Sequence, residues 1–201
     1  TIIAKEDIKS PDGRYTYENK GTEHKITTDT NGYAITNELY CGTYEIKETK
    51  TPLNYVTDKN IPDITLENND QTKRIEVSNK KMFNPKQKTE INVEKILEDS
   101  EFKFDKINVV LGLYTDQEFK SYDGKYTVMK KDTLVDVVYG DAEAGKTLNL
   151  KSNVNLPAGK YYFKELDVDY PYSISQDKTE VIVSHKNTND ETLYIDGISI
   201  T

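Results

Sequence analysis

Two glutamates close an apolar strand face in this chain, and a lysine and an asparagine interrupt two others. In Gly42-Thr43-Tyr44-Glu45-Ile46-Lys47-Glu48 an extended backbone puts Tyr44, Ile46 and Glu48 on one side. Gly159-Lys160-Tyr161-Tyr162-Phe163-Lys164-Glu165 does the same with Tyr161, Phe163 and Glu165. On Ile91-Asn92-Val93-Glu94-Lys95-Ile96-Leu97, the residues Ile91, Val93, Lys95 and Leu97 share a face, and on Ile75-Glu76-Val77-Ser78-Asn79 the residue Asn79 joins Ile75 and Val77. Carboxyl, amine and carboxamide are thus all predicted on core-facing positions. A lone ionised group in such a place changes its protonation state or finds a partner, with shifts of up to about 3–5 pKa units on full burial.

The elements that would position these groups are strands. Alternating apolar runs recur between turn signals, and hardly any stretch has the 3.6-residue apolar period of a helix. Turns are expected at Pro11-Asp12-Gly13, Asn31-Gly32, Asp123-Gly124 and Asp196-Gly197. Strands are expected over residues 1–4, 24–28, 33–36, 43–48, 63–67 and 73–79, then 90–97, 107–114, 127–130, 134–139, 147–150, 160–166, 179–184 and 192–200. With 35% hydrophobic and 31% charged residues, any core is a thin layer of alternating side chains, and fifteen Tyr suit half-buried strand positions. A length of 201 residues and the basic, proline-containing stretch at 80–88 predict two all-β, immunoglobulin-like sandwiches, 1–83 and 84–201. The internal repeat Gly-x-Tyr-x-apolar-Lys-Glu reinforces that division. Each copy follows a Leu three residues earlier (Leu39, Leu156) and precedes a Pro and a Tyr (Pro52 and Tyr55, Pro171 and Tyr172).

This repeat resembles the E-box of the collagen-adhesin B-type (CnaB, SpaA-type, prealbumin-like) domains of Gram-positive pilins and surface adhesins, and the resemblance covers both halves. It implies a spontaneous isopeptide bond between a Lys on the first strand and an Asn or Asp on the last, promoted by the E-box Glu. Glu48 and Asn79 would then be promoter and acceptor in the first domain, and Lys95 and Glu165 nucleophile and promoter in the second. The amine attacks only when neutral, and a protonated carboxyl beside it polarises the carboxamide, so a dry site is needed for both. The first domain opens on a segment resembling the family's second strand, so its Lys would lie upstream. The second is expected to stop one residue short of its acceptor, which leaves Asp196 as the late substitute. Such a bond forms once per molecule, which makes the chain a self-modifying structural segment and not a turnover enzyme.

The rest of the composition narrows the partners. A net charge of −8 and a pI near 4.9 oppose nucleic acid and anionic lipid. No apolar run is long enough to cross a bilayer and no signal sequence opens the chain, so any export signal or anchor is expected outside it. Cys41 has no partner for a disulfide and lacks the aromatic neighbour of a thioester adhesin, so it is expected to be a small, partly buried thiol. His24 and His185 are isolated, and the acidic runs at 67–70 and 187–191 lack an EF-hand order, so neither a metal nor a cofactor is expected. The expected partners are neighbouring domains of the same surface protein at the bacterial cell wall. Two other readings remain: a module binding a host extracellular protein or glycan through exposed Tyr such as Tyr122 and Tyr126, and an accessory β-domain of a secreted enzyme.

Overall fold

The computed structural model describes residues 1–67, 81–98, 106–121, 123–185 and 189–201, and among them every regular element is a strand. The first half carries β1 (Ile2–Ala4), β2 (Ile8–Lys9), β3 (Thr16–Glu18), β4 (Glu23–His24), β5 (Gly42–Ile46) and β6 (Ile64–Leu66). The second carries β7 (Lys88–Ile96), β8 (Ile107–Thr115), β9 (Phe119–Lys120), β10 (Thr127–Met129), β11 (Leu134–Ala142), β12 (Thr147–Ser152), β13 (Gly159–Val168), β14 (Thr179–Val183) and β15 (Thr192–Ile200). They form two compact units, Thr1–Pro52 with Thr57–Pro85, and Lys86–Thr201 with Leu53–Val56. The short exchange belongs to the second unit because Asn54, at φ 69°, accepts the Gln87 N–H on its carbonyl at 3.0 Å and the Ala158 N–H on Oδ1 at 2.9 Å.

The second unit is a two-sheet sandwich, one sheet in the order β11-β8-β13-β14 and the other β12-β7-β15. Its interior is built from the alternate residues of β7, β8 and β13, among them Ile91, Val93, Val109, Leu111, Leu113, Tyr161 and Phe163, all within 1% of full burial. β15 runs parallel to β7, pairing Ile195 with Ile91 but Ile198 with Val93. The extra residue is taken up at Asp196-Gly197, where Gly197 has φ 78°. That pair is therefore a bulge within a strand and not the turn its sequence suggests: without the added residue, Ile198 and Ile200 would face the wrong side. The first unit has the sheet β4-β1-β5-β6 over a small core of Ile2, Ala4, Ile8, Tyr44 and Leu66.

The two units share fittings far beyond the E-box. Ser10-Pro11-Asp12-Gly13-Arg14-Tyr15 and Ser121-x-Asp123-Gly124-Lys125-Tyr126 close hairpins β2-β3 and β9-β10 with the same bonds. Each Ser hydroxyl donates to the Asp (2.6 and 2.7 Å) and accepts the Tyr N–H (3.0 Å in both). The hydroxyl holds Asp12 and Asp123 below the ordinary carboxyl range, helped by the N–H of Arg14 and Lys125. Each Gly has a left-handed φ, 69° and 71°. Glu6 Oε1 accepts the Thr43 N–H as Gln117 Oε1 accepts that of Lys160. A Cβ at Gly159 would come within 2.6 Å of the Phe119 ring, and one at Gly42 within 2.9 Å of the end of the Ile8 side chain, and Ile8 and Phe119 occupy equivalent places on β2 and β9.

Some local expectations change. Residues 33–36 are not a strand: Tyr33 and Ile35 stand 73% and 89% exposed. The preceding turn is closed by Asp29, which accepts from the N–H groups of Asn31 and Tyr33, and no strand continues from it. The strand expected over 24–28 shrinks to Glu23–His24. The short β2, β3 and β9 carry no alternation long enough to detect. The strand expected at 73–79 lies outside the described residues.

Gly159→Ala should destabilise the second unit by about 1–3 kcal/mol through overpacking against Phe119, measured by denaturant unfolding, with Gly159→Ala/Phe119→Leu recovering part of the loss. The depressed carboxyls give an acid-side effect, since stability present above the unfolded carboxyl pKa is lost as pH falls through the folded one. NMR titration should find Asp123 ionising below its ordinary 3.8, and Ser121→Ala should return it toward that value.

Candidate functional site

Lys95 and Glu165 meet inside the second sandwich. β7 alternates so that Thr89, Ile91, Val93, Lys95 and Leu97 are buried while Lys88, Glu94 and Ile96 are exposed. Lys95 is 4% exposed, and its Nζ lies 2.8 Å from Glu165 Oε1. Glu165 sits toward the end of the Tyr161, Phe163, Glu165 face of β13, itself 4% exposed, just before a bulge that shifts register between Glu165 and Asp167. Its Oε2 accepts the Ser175 N–H at 2.6 Å, so a backbone donor fixes one oxygen and aims the other at the amine.

The strands around the pair fix its surroundings. Lys95 is opposite Leu148 on β12 and opposite Ile200 on the parallel β15. The lysine thus lies on the central strand of its sheet, beside the last residues of the final strand, with a carboxylate reaching it from the opposing sheet. Two desolvated charges cost several kcal/mol apiece, offset by their attraction and by the Ser175 bond. Nothing in ordinary packing demands them, since an aliphatic pair fills the same volume at no such cost.

Glu48 occupies the equivalent place in the first unit. It is half-buried, and Oε2 accepts the Asp58 N–H at 3.1 Å, ten residues on, as Glu165 does with Ser175. The E-box tyrosines also correspond. Tyr44 donates its hydroxyl to the Tyr40 carbonyl at 2.9 Å and Tyr161 to the Pro157 carbonyl at 2.8 Å. Burial pushes both phenols up, Tyr44 to about 12 with help from the charge of Glu18. No lysine stands against Glu48 among the described residues; the group there is the Asn84 carboxamide, whose Nδ2 donates to Oε2 at 2.6 Å. The sequence reading placed Asn84 in a linker and missed it. β1 pairs with β5 as β8 does with β13, Ala4 opposite Tyr44 as Thr115 is opposite Tyr161, so β1 corresponds to β8, the second strand of the other unit.

The remaining candidates separate from this centre. Asn79 lies outside the described residues, as does Tyr122. Asp196, the substitute acceptor, is exposed at the bulge, and its Oδ1 accepts Asn92 Nδ2 at 2.6 Å. Asn92 is on the outward face of β7, so Asp196 and Lys95 are on opposite sides of the sheet and are not brought together. Cys41, expected to be partly buried, is exposed. His24 pairs with Glu18 at 3.1 Å, and the buried His185 sits between Gln87 Oε1 and the Leu156 carbonyl. No cluster of metal-ligating side chains occurs among the described residues, nor is any helix there long and apolar enough to cross a membrane.

Fold and fittings together define an all-β protein of tandem prealbumin-like, immunoglobulin-type sandwiches. Residues 5–81 match the family of SpaA prealbumin-like fold domains, and the second unit repeats the fittings of the first. Among solved structures the chain is similar to the Bacillus anthracis TIE protein, at 22% identity and a TM-score of 0.48, covering 86% of this chain and 27% of that one. It is also similar to a variant of BcpA, the major pilin subunit of Bacillus cereus, at 20% identity and a TM-score of 0.29, covering 60% of this chain and 31% of that one. It thus spans less than a third of the length of either. No curated protein matches it.

Removing one partner of the buried pair leaves the other charge stranded. Glu165→Ala should cost about 3–5 kcal/mol in denaturant unfolding, and Lys95→Met/Glu165→Leu should recover most of that loss.

Proposed function

We propose that this chain is a stalk segment of a Gram-positive surface protein, displayed at the cell wall, whose second unit is built to be braced by an intramolecular isopeptide bond from Lys95. The carrying observation is the buried Lys95–Glu165 contact at 2.8 Å, beside the last strand. A buried amine touching a carboxylate can pass its proton across, leaving a neutral nucleophile and a carboxylic acid able to donate to a carbonyl. With an asparagine on the same inward face of the last strand, Lys95 Nζ bonds to its side-chain carbonyl carbon. The carbon–nitrogen bond to the amide group breaks, and ammonia leaves with the amine's proton. Inward positions of β15 alternate through Ile198 and Ile200, so the next one follows Thr201.

A display role also suits what surrounds the site. The chain is acidic and its core lacks disulfides, so a covalent amide tie would give mechanical strength that does not depend on redox state. The neighbouring domains of the same surface protein are the natural partners of such a segment.

Extending the chain after Thr201 with an asparagine and a short polar tail tests this. Its intact mass should fall by one ammonia relative to the sequence, and the bridged peptide should contain Lys95. Lys95→Ala and Glu165→Ala in the same extended chain should keep the full mass. An extended chain that retains its full mass, while folded by circular dichroism, would refute the assignment of Lys95.

A further inference from the structure

We propose that His185 is a proton-gated latch in the second unit: with both ring nitrogens protonated it pins the start of β7 to the segment entering β15, and loss of one proton releases the tie. Neither Lys95 nor Glu165 takes part, so the latch stands or falls apart from the isopeptide reading.

His185 follows β14, is 8% exposed and meets an oxygen at each ring nitrogen. Nδ1 contacts Gln87 Oε1, and Nε2 lies 3.1 Å from the Leu156 carbonyl. A neutral imidazole carries one N–H, so it donates to one of these oxygens and turns a lone pair on the other. The imidazolium donates to both. Gln87 cannot remove the conflict by turning its carboxamide over. Its Nε2 donates to the Asp190 carbonyl at 2.8 Å, and the reversed group would set Oε1 against that carbonyl. Two charge-assisted hydrogen bonds oppose the cost of desolvating the charged ring.

The ring's place in the fold gives the proton its leverage. The Gln87 N–H donates to the Asn54 carbonyl at 3.0 Å, and the Lys88 N–H donates to the Glu191 carbonyl at 2.9 Å. From there the β7–β15 ladder runs on, Lys88 opposite Thr192. Gln87 therefore carries the ring's proton state to the first rung of that ladder. Among the described residues, the titratable or charged groups on the surrounding segments are Tyr55, Lys86, Lys88, Lys160, Glu180, Asp190 and Glu191. Lys86 and Lys88 are exposed, Tyr55 is bridged to Lys86, and Lys160 and Glu180 pair with each other at 3.8 Å. Asp190 and Glu191 are exposed and give backbone carbonyls to this network. The ring's own two bonds are to a carboxamide and a backbone carbonyl, so no carboxylate shares its charge. The folded unit needs the second proton and the unfolded chain does not. The latch's contribution to stability is therefore full in acid and is lost as pH rises.

Nitrogen-15 NMR of the histidine rings in the full chain, from about pH 5 to about pH 8 where an imidazole changes charge, tests the latch. Both His185 nitrogens should be protonated at the acid end. As one proton leaves, protection of the Gln87 carboxamide and the Lys88 amide, corrected for the intrinsic pH dependence of exchange, should fall with the same midpoint. His185→Gln should abolish that pH-linked loss, and His24→Gln should retain it. A ring that keeps one charge state throughout, protection that ignores the ring's titration, or a His185→Gln chain with the wild-type pH dependence would each overturn the proposal.

Discussion

The contact between the Lys95 ammonium and the Glu165 carboxylate is the constraint around which the second sandwich is arranged. Charges at 4% exposure persist only where they meet each other, and here the carboxylate also accepts from the fixed Ser175 N–H. That need explains several otherwise separate features. β7 must be central in its sheet to carry the lysine under cover. The end of β13 must face inward, and the segment reaching Ser175 must return to give Glu165 a backbone N–H. An apolar pair would need none of these fittings.

The first unit shows which parts of the arrangement are framework. Its E-box glycine, tyrosine and glutamate make the same contacts as their counterparts: close approach to β2, a hydroxyl bond four residues back, and a carboxylate capping an N–H ten residues on. With no lysine against Glu48 among the described residues, the capping bond to Asp58 still forms. The glutamate thus caps the loop after its strand in both units.

Much of this was legible from residue order. Alternation in Ile91-Asn92-Val93-Glu94-Lys95 and Tyr161-Tyr162-Phe163-Lys164-Glu165 put the lysine and the glutamate inside, and the sequence repeat linked the halves, because period-two burial leaves a direct trace. Asp196 misled because Asp-Gly marks any left-handed backbone position, a bulge as readily as a hairpin. Asn84 was passed over because its bond to Glu48 depends on how the chain returns after β6. The Ser-x-Asp-Gly-basic-Tyr hairpin was written twice in plain view. Its two turns were expected, but the strands β2 and β9 that open it were not, because two-residue strands have no periodicity; aligning 8–15 with 119–126 shows the repeat.

The parallel pairing of β7 with β15 has a mechanical consequence. In a parallel pair, the entry of one strand and the exit of the other lie at opposite ends of the ladder. Tension entering at Lys88 and leaving past Ile200 loads the hydrogen bonds between them in shear, all together, where an antiparallel hairpin would unzip them one by one. The same pair of strands that shelters the lysine would therefore resist tension applied between those two ends as a block.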